Sequence, residues 1–123
     1  MLEIHEKIDI TGYEDAAEQI NADSVHIVES FNGTEKNGYG IYSISEDNVV
    51  IYDYKSEELA ITDGIIRAIL FKGMLGGKNR CEFELTDSEK YEEVIKLGFI
   101  NKNAKSINDI SDFMSNCKKC KEL

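Results

Sequence analysis

The sequence predicts an α/β fold with a mixed, mostly antiparallel sheet, one parallel strand pair and flanking helices. In the first half of the chain, short segments rich in β-branched and aromatic residues are separated by polar turn residues, as in a meander of strands. In the second half, a segment with apolar residues at helical spacing lies between two strand-like segments. A helix that connects two strands in this way favours a parallel crossover, so the two strands are expected to be neighbours in one sheet.

Three strands are predicted in the first half, after a short helix over Tyr13–Asn21. They cover Ser24–Phe31, Tyr39–Ile44 and Val49–Tyr54, which are rich in Val, Ile, Tyr and Phe. The polar stretch Ser45–Asn48 predicts a turn, which joins the second and third strands as an antiparallel hairpin.

Two Asn-Gly dipeptides, Asn32-Gly33 and Asn37-Gly38, are predicted as turns. Asn and Gly adopt a positive φ more readily than other residues, which suits tight turns. Both dipeptides are therefore expected to interrupt the strands.

A long helix is predicted over Thr62–Leu75, with Thr62 or Asp63 as its N-cap. The apolar residues of one face recur at helical spacing. They are Ile65, Ile66, Ile69, Leu70 and Met74. The dipeptide Gly76-Gly77 is expected to end the helix.

A strand and a second helix are predicted to follow. Arg80–Leu85 alternates between apolar and polar residues, which places Cys81 and Phe83 on one face of a strand. Thr86–Glu89 has the spacing of a capping box and predicts the start of a helix over Glu89–Lys96. Its buried face is expected to comprise Tyr91, Val94 and Ile95.

The length and charge of the chain limit the number of domains and the kinds of partner that are expected. Its 123 residues predict a single domain over 1–123, in which the Lys-rich end, 117–123, is expected to be a mobile tail. The net charge of -10 disfavours binding to nucleic acid and to anionic membranes, and it favours cationic partners. No apolar run approaches the roughly 18–20 residues of a membrane span, and the N-terminus lacks a signal-peptide pattern, so a cytoplasmic location is expected.

The three cysteines predict neither a disulfide framework nor a metal site. Cys117 and Cys120 form a lone Cys-x-x-Cys, whereas a tetrahedral zinc site needs four ligands. His5, His26 and Cys81 have no spacing that would complete such a site. Cys81 is expected to be buried in the sheet.

Four tyrosines lie on adjacent predicted strands. They are Tyr39, Tyr42, Tyr52 and Tyr54. A hairpin would bring them together as cross-strand aromatic pairs, either as the wall of a ligand groove or as packing between the sheet and its helices.

The order of elements over 49–99 resembles the core of the GCN5-related N-acetyltransferase (GNAT) family. Val49–Tyr54 is similar to the family's fourth strand, Thr62–Leu75 to its cofactor-binding helix and Arg80–Leu85 to its fifth strand. Leu97-Gly98-Phe99 matches the ending that commonly follows the next helix. The resemblance implies an acetyltransferase-like fold and, as cofactor, acetyl-CoA or CoA.

The family holds the CoA pyrophosphate with a loop of the pattern Gln/Arg-x-x-Gly-x-Gly/Ala at a helix N-terminus. The matching stretch here is Ile61–Ile66, in which Gly64 is retained and Asp63 places a carboxylate where the phosphates would lie. Asp63 is interpreted either as a helix cap or as part of a phosphate site, with Arg67 as a compensating cation. The implied cofactor contacts are Tyr54, Thr62, Asp63, Gly64, Ile65 and Arg67.

Two catalytic residues are implied by the same resemblance. Asp53 matches the position of a general base on the fourth strand, although an exposed carboxylate near a strand end is the simpler interpretation. The family's usual acid is a tyrosine at the position of Val94, which cannot donate a proton. Tyr91, one turn earlier, is the candidate replacement, or else a packing residue.

Two functions are therefore expected from the sequence. The first is acetyl-CoA-dependent N-acyl transfer to a small-molecule or protein amine. The alternative is a catalytically inactive acetyltransferase-like domain that binds a ligand or a protein. An unpaired edge strand could also pair with a second copy, which would give a homodimer.

Overall fold

The computed structural model describes residues 2–20 and 24–115. The strands are β1 (Leu2–Lys7), β2 (His26–Asn32), β3 (Glu35–Ile44), β4 (Asn48–Ser56), β5 (Arg80–Phe83) and β6 (Ser106–Ile107). The helices are α1 (Glu14–Glu18), α2 (Leu59–Leu75), α3 (Ser88–Lys96) and α4 (Ile110–Ser115). The strands form one six-stranded sheet in sequence order, which confirms the predicted mixed α/β class.

The neighbouring strands β4 and β5 are parallel. Their register pairs Asn48 with Arg80 and Ile51 with Phe83, and α2 makes the connection between them. The other four pairs of neighbouring strands are antiparallel. The predicted crossover is therefore confirmed, as is the predicted hairpin of β3 and β4.

One of the two predicted Asn-Gly turns is correct. Gly33 has a φ of 66° between β2 and β3, as a turn glycine should. The turn predicted at Asn37-Gly38 is wrong, because both residues lie inside β3. A Cβ at Gly38 would lie 2.9 Å from the Ile65 side chain, so this glycine permits close contact with α2.

The main core lies between α2 and the sheet. The residues of α2 that are fully buried in it are Ile65, Ile66, Ile69 and Leu70. The sheet contributes Val28, Tyr42, Val49, Ile51 and Tyr54. The predicted apolar face of α2 is thus the face that packs on the sheet.

The long helix begins earlier than the sequence predicted. It starts at Leu59, after Glu58, so the prediction of Thr62 or Asp63 as N-cap is wrong. Both residues are buried within the first two turns. The connection is secured by Ser56, whose hydroxyl donates to Glu58 O (2.7 Å) and lies 2.6 Å from Thr62 Oγ1. The predicted end at Gly76-Gly77 is confirmed, with Gly76 as C-cap.

The predicted alternation after α2 is confirmed, since Cys81 and Phe83 are buried. Asp87 is the N-cap of α3, where its carboxylate accepts a hydrogen bond from Glu89 N (2.9 Å). Gly98, with a φ of 92°, follows the end of α3 and allows Phe99 to turn back into the core.

Some elements and segments fall outside these predictions. The sequence did not predict β1 or α4. The proposed tail over 117–123, with Cys117 and Cys120, lies outside the described residues. In the ranges 2–20 and 24–115, no helix combines the length and apolarity required to cross a membrane.

Candidate functional site

The parallel strands β4 and β5 separate after a short shared stretch. Their last backbone link is the hydrogen bond from Glu84 N to Ile51 O (2.9 Å), while β4 continues to Ser56. A β-bulge marks the same point, because β3 pairs Tyr42 with Ile51 but Ile41 with Asp53. Among the described residues, the bulge and the separation leave the end of β4 without a strand partner on this edge.

A cleft of about 310 Å³ lies at this open edge. Its walls are the end of β4, the first turn of α2 and the first two turns of α3. The acidic residues in its lining are Glu57, Glu58, Asp87, Glu89 and Glu93, and the basic ones are Lys55 and Lys90. The described lining is therefore predominantly acidic.

Lys90 of α3 reaches across this cleft to β4. Its Nζ donates hydrogen bonds to Asp53 Oδ1 and to Tyr54 O, the latter over 2.6 Å. The same nitrogen lies 5.3 Å from the centroid of the Tyr54 ring. The Lys90 side chain is 25% exposed and that of Asp53 is 40% exposed. The predicted base, Asp53, is therefore held in a half-buried ion pair.

Tyr54 forms the floor beneath this ion pair. It is buried, and its hydroxyl donates to Glu93 Oε1 (2.6 Å) and to Lys90 O (3.1 Å). Burial, followed by the hydrogen bond to the Glu93 carboxylate, raises the pKa of Tyr54 well above its usual range. Tyr54 is consequently a neutral donor that links β4 to α3.

The hydroxyl of Tyr91, the predicted acid, is hydrogen-bonded to backbone groups at the end of β5. It donates to Phe83 O (2.8 Å) and accepts from Leu85 N (2.9 Å). The two predicted catalytic residues thus have separate partners: Asp53 is bound by Lys90, and Tyr91 by the β5 segment.

The predicted cofactor contacts divide into three groups. Tyr54 and Thr62 line the cleft. Asp63 and Arg67 instead form an ion pair, Nε to Oδ2 over 2.9 Å, within α2. The Arg67 guanidinium also lies 5.2 Å from the ring centroid of Phe99.

The remaining two predicted contacts belong to α2 itself. Ile65 is fully buried against the sheet, and Gly64 follows Asp63 inside the helix. Because α2 begins at Leu59, the backbone N–H groups of its first turn precede the Gly64 region that sequence reasoning had placed at the phosphates.

Sequence reasoning did not assign most polar residues of the cleft to the site, among them Glu58, Lys90 and Glu93. Lys90 and Glu93 flank Tyr91 on a helix of alternating charge, which looks like a solvated face. The only signal for them is their place on the helix that follows β5, since such a helix can cover the open edge of β4.

A second, larger groove of about 800 Å³ lies on the sheet face opposite α2. Gly38 and Gly40 face α2, so Tyr39 and Ile41 of the same strand face this groove. The rings of Tyr13 and Tyr39 meet edge to face, with centroids 5.1 Å apart. The acidic residues of the lining are Glu14, Asp15 and Glu57, and the basic ones are Lys36 and Lys55.

Tyr13, Glu29 and Lys36 form a hydrogen-bonded triad beside this groove. The Tyr13 hydroxyl donates to Glu29 Oε2 (2.6 Å), and Lys36 Nζ donates to both partners (3.1 and 3.2 Å). Burial, followed by the bond to Glu29, raises the pKa of Tyr13. Burial alone would raise the pKa of Glu29, but the hydrogen bonds from Tyr13 and Lys36 outweigh it, so that pKa lies below its usual value. The triad fixes Tyr13 as a wall of the groove.

No protein-family model and no curated protein matches the sequence. Solved structures do match the fold. AAC(6')-Iy in complex with the bisubstrate analogue CoA-S-monomethyl-acetylneamine is 13% identical, with a TM-score of 0.63 over 82% of this chain and 92% of that chain. A protein of Desulfovibrio desulfuricans assigned to the GNAT family is 12% identical, with a TM-score of 0.58 over 81% of this chain and 85% of that one.

The KacTA–DNA complex is also similar, at 12% identity and a TM-score of 0.59, over 95% of this chain and 100% of that chain. Because this fold occurs in a complex with DNA, the expectation that the present chain binds no nucleic acid rests on its charge alone. The likeness extends over most of each chain, and it agrees with the strand order and the parallel β4–β5 pair. The chain therefore has the fold of the GCN5-related N-acetyltransferases.

Proposed function

We propose that this protein is an acetyl-CoA-dependent N-acyltransferase that acts on a cationic amine. The observation that carries the proposal is the cleft where β4 continues past β5, which is lined by the first turn of α2 and by Lys90, the partner of Asp53. In AAC(6')-Iy, a structure of the same fold, a CoA bisubstrate analogue is bound. Acetyl-CoA would be a substrate here, and its thioester would supply the acyl group.

The donors for the pyrophosphate are the first backbone N–H groups of α2. Ile61 N and Thr62 N both donate to Glu58 O over 3.1 Å. The N–H groups of Leu59 and Ala60 precede the helical ladder, so helix geometry gives them no acceptor inside α2. These two groups fit a phosphate, and Lys55 and Lys90 offset part of the acidic lining.

The acceptor amine would reach Asp53 from the larger groove. Three carboxylates and the net charge of -10 attract an ammonium group to that side of the sheet. A cationic amine can take the place of Lys90 at Asp53, where the carboxylate would remove its proton. The acid role of Tyr91 stays a prediction. Its hydroxyl would have to give up the carbonyl of Phe83 to donate elsewhere.

The alternative is an inactive acetyltransferase-like domain that binds a ligand or a protein partner. Two observations favour it: the acidic lining of the cleft, and the ion pair that already occupies Asp53. Carboxylates repel a pyrophosphate at close range, which weakens binding of CoA.

Thermal unfolding with added nucleotide separates the two functions. Acetyl-CoA that binds the native state raises the Tm by mass action, and release of free thiol on adding amines then measures turnover. Asp53→Asn should retain the Tm shift and lose turnover. If millimolar acetyl-CoA leaves the Tm unchanged, the enzyme proposal is wrong and the binding domain is the better description.

A further inference from the structure

Lys90 presents its amine to the groups that an acyl acceptor would need. Its Nζ donates to the carboxylate of Asp53, the predicted base, and to Tyr54 O on the open edge of β4. It also lines the cleft in which the thioester is proposed to bind. An amine already bound to a base, at the place where an acyl group arrives, is positioned for acylation.

We propose that Lys90 is an intramolecular acyl acceptor, and hence a site of self-modification. This inference rests on the proposed function, because it requires an acyl-CoA thioester in the cleft. It adds a covalent site on the chain itself to the transfer to an external amine.

The chemical step balances with the thioester as the only co-reactant. Asp53 takes one proton from the Lys90 ammonium, which frees the lone pair of Nζ. The nitrogen attacks the thioester carbonyl, an N–C bond forms, and the C–S bond breaks with its electron pair on sulfur. The second proton of the amine moves to the CoA thiolate, and the products are an Nε-acyl lysine and CoA-SH.

Three contacts hold the Lys90 amine in one place. Asp53 and Tyr54 O accept two of its protons, and the Tyr54 ring lies below it at 5.3 Å. Its side chain is only 25% exposed, so chemical acylation from solution should favour other lysines. Selective acylation of Lys90 would therefore indicate transfer from acetyl-CoA bound in the cleft and not the general reactivity of surface lysines.

Lys96 and Lys55 serve as internal references. Lys96 is exposed and lies on the same helix as Lys90. Lys55 is also exposed, and it lines the same cleft as Lys90. Neither residue is hydrogen-bonded to Asp53 in the described part of the chain. Lys96 therefore shares the helix of Lys90, and Lys55 shares its cleft, but neither contacts the proposed base Asp53.

The experiment incubates the full chain with isotopically labelled acetyl-CoA and follows the acylation of each lysine by peptide mass spectrometry. Lys90 should be acylated at least about tenfold faster than Lys96 and Lys55, at a rate that does not depend on protein concentration. Asp53→Asn should lower the acylation rate of Lys90 by at least about tenfold and leave the acylation rate of Lys96 unchanged. Acetic anhydride, which needs no binding site, should instead favour Lys96.

Two kinds of result overturn the inference. If Lys90 is acylated no faster than Lys96, or if it is acylated equally fast in Asp53→Asn and in the parent chain, the cleft does not direct acylation to this residue. If acetyl-CoA raises the Tm but Lys90 remains unlabelled, the inference fails and the proposed function stands. If acetyl-CoA gives neither a Tm shift nor labelling, both fail.

Discussion

The hydroxyl of Tyr91 donates a hydrogen bond to the carbonyl oxygen of Phe83 over 2.8 Å, and so fastens helix α3 to the end of β5. The Tyr91 hydroxyl oxygen in turn accepts a hydrogen bond from Leu85 N over 2.9 Å. One phenol thus satisfies two backbone groups at the point where β5 ends. The side chain that the sequence suggested as a catalytic acid has a structural role in the fold.

Tyr91→Phe should lower the free energy of unfolding by about 1–3 kcal/mol, because it leaves a half-buried N–H and a carbonyl without their partner. Urea unfolding measures this loss. Tyr39→Phe is the control, since it removes a hydroxyl from the groove wall and should change stability by less than about 0.5 kcal/mol. Equal stability of Tyr91→Phe and the parent chain would contradict the structural role.

Asp63→Ala should destabilise the fold without tightening CoA binding. Because α2 begins at Leu59, Asp63 does not lie at the start of the helix. It pairs there with Arg67, and the side chains of Asp63 and Arg67 are only 11% and 23% exposed. A double-mutant cycle with Arg67→Ala should give a coupling energy of about 1–3 kcal/mol. A clear gain in CoA affinity in Asp63→Ala would instead support the sequence-based idea that this carboxylate repels the phosphates.

Gly40→Ala should cost about 1–3 kcal/mol through overpacking. A Cβ at Gly40 would lie 2.7 Å from Ile65 Cγ2 and 3.0 Å from Ile69 Cδ1, where α2 crosses the sheet. Gly76→Ala is the matched control, because its nearest neighbours would be 3.6 Å away and its φ is -85°. Thermal unfolding of both variants compares them, and a fully stable Gly40→Ala would show that α2 does not pack as closely as described.

Stability should fall at alkaline pH. Burial raises the pKa of the Cys81 thiol from 9.0 to about 12, and burial together with nearby Glu6 and Glu93 raises the pKa of Tyr42 and Tyr54. The folded state then binds more protons than the unfolded state above pH 9, so the stabilisation is complete below that pH and is lost as pH rises towards 12.

Denaturant unfolding at a series of pH values from about 8 upwards measures this slope. Tyr54→Phe should make it shallower, since one of the protons that the folded state retains is removed. The same slope in Tyr54→Phe and the parent chain would show that Tyr54 is not the buried phenol described above.

Glu89→Gln should tighten CoA binding by up to about fivefold, because it removes one carboxylate from the lining of the cleft. Glu92→Gln is the control on the exposed part of the same helix, and it removes the same charge outside the lining. Titration calorimetry at low ionic strength compares the two. Equal effects would mean that the overall charge, and not the cleft, governs CoA affinity.

Most of the second half of the fold could be predicted from the sequence. The spacing of Ile65, Ile66 and Ile69 identified the buried face of α2, and the alternation of Cys81 and Phe83 identified β5. These patterns are local, and their periods follow from helix and strand geometry. The turn predicted at Asn37-Gly38 was wrong because the same dipeptide also suits a strand that must pass close beneath a helix.

The candidate site could be predicted only in part. Asp53 and Tyr54 were singled out from their place on β4, whereas Lys90 and Glu93 were not. Their position depends on how α3 crosses the open edge of β4, which no local pattern records. Asp63 was misplaced because a Thr-Asp-Gly start signal is equally compatible with a helix that begins one turn earlier.

From β2 to α3, the sequence by itself determined the kinds of element, their order and the parallel crossover, because hydrophobic period and connection length act within a short stretch of chain. Only the tertiary structure decided which charges meet. The pairing of Lys90 with Asp53, which belong to different elements, depends on side chains that reach a partner after packing. Long charged side chains carry no periodic signal for such partners, since their contacts are set by the three-dimensional approach of α2, α3 and the sheet.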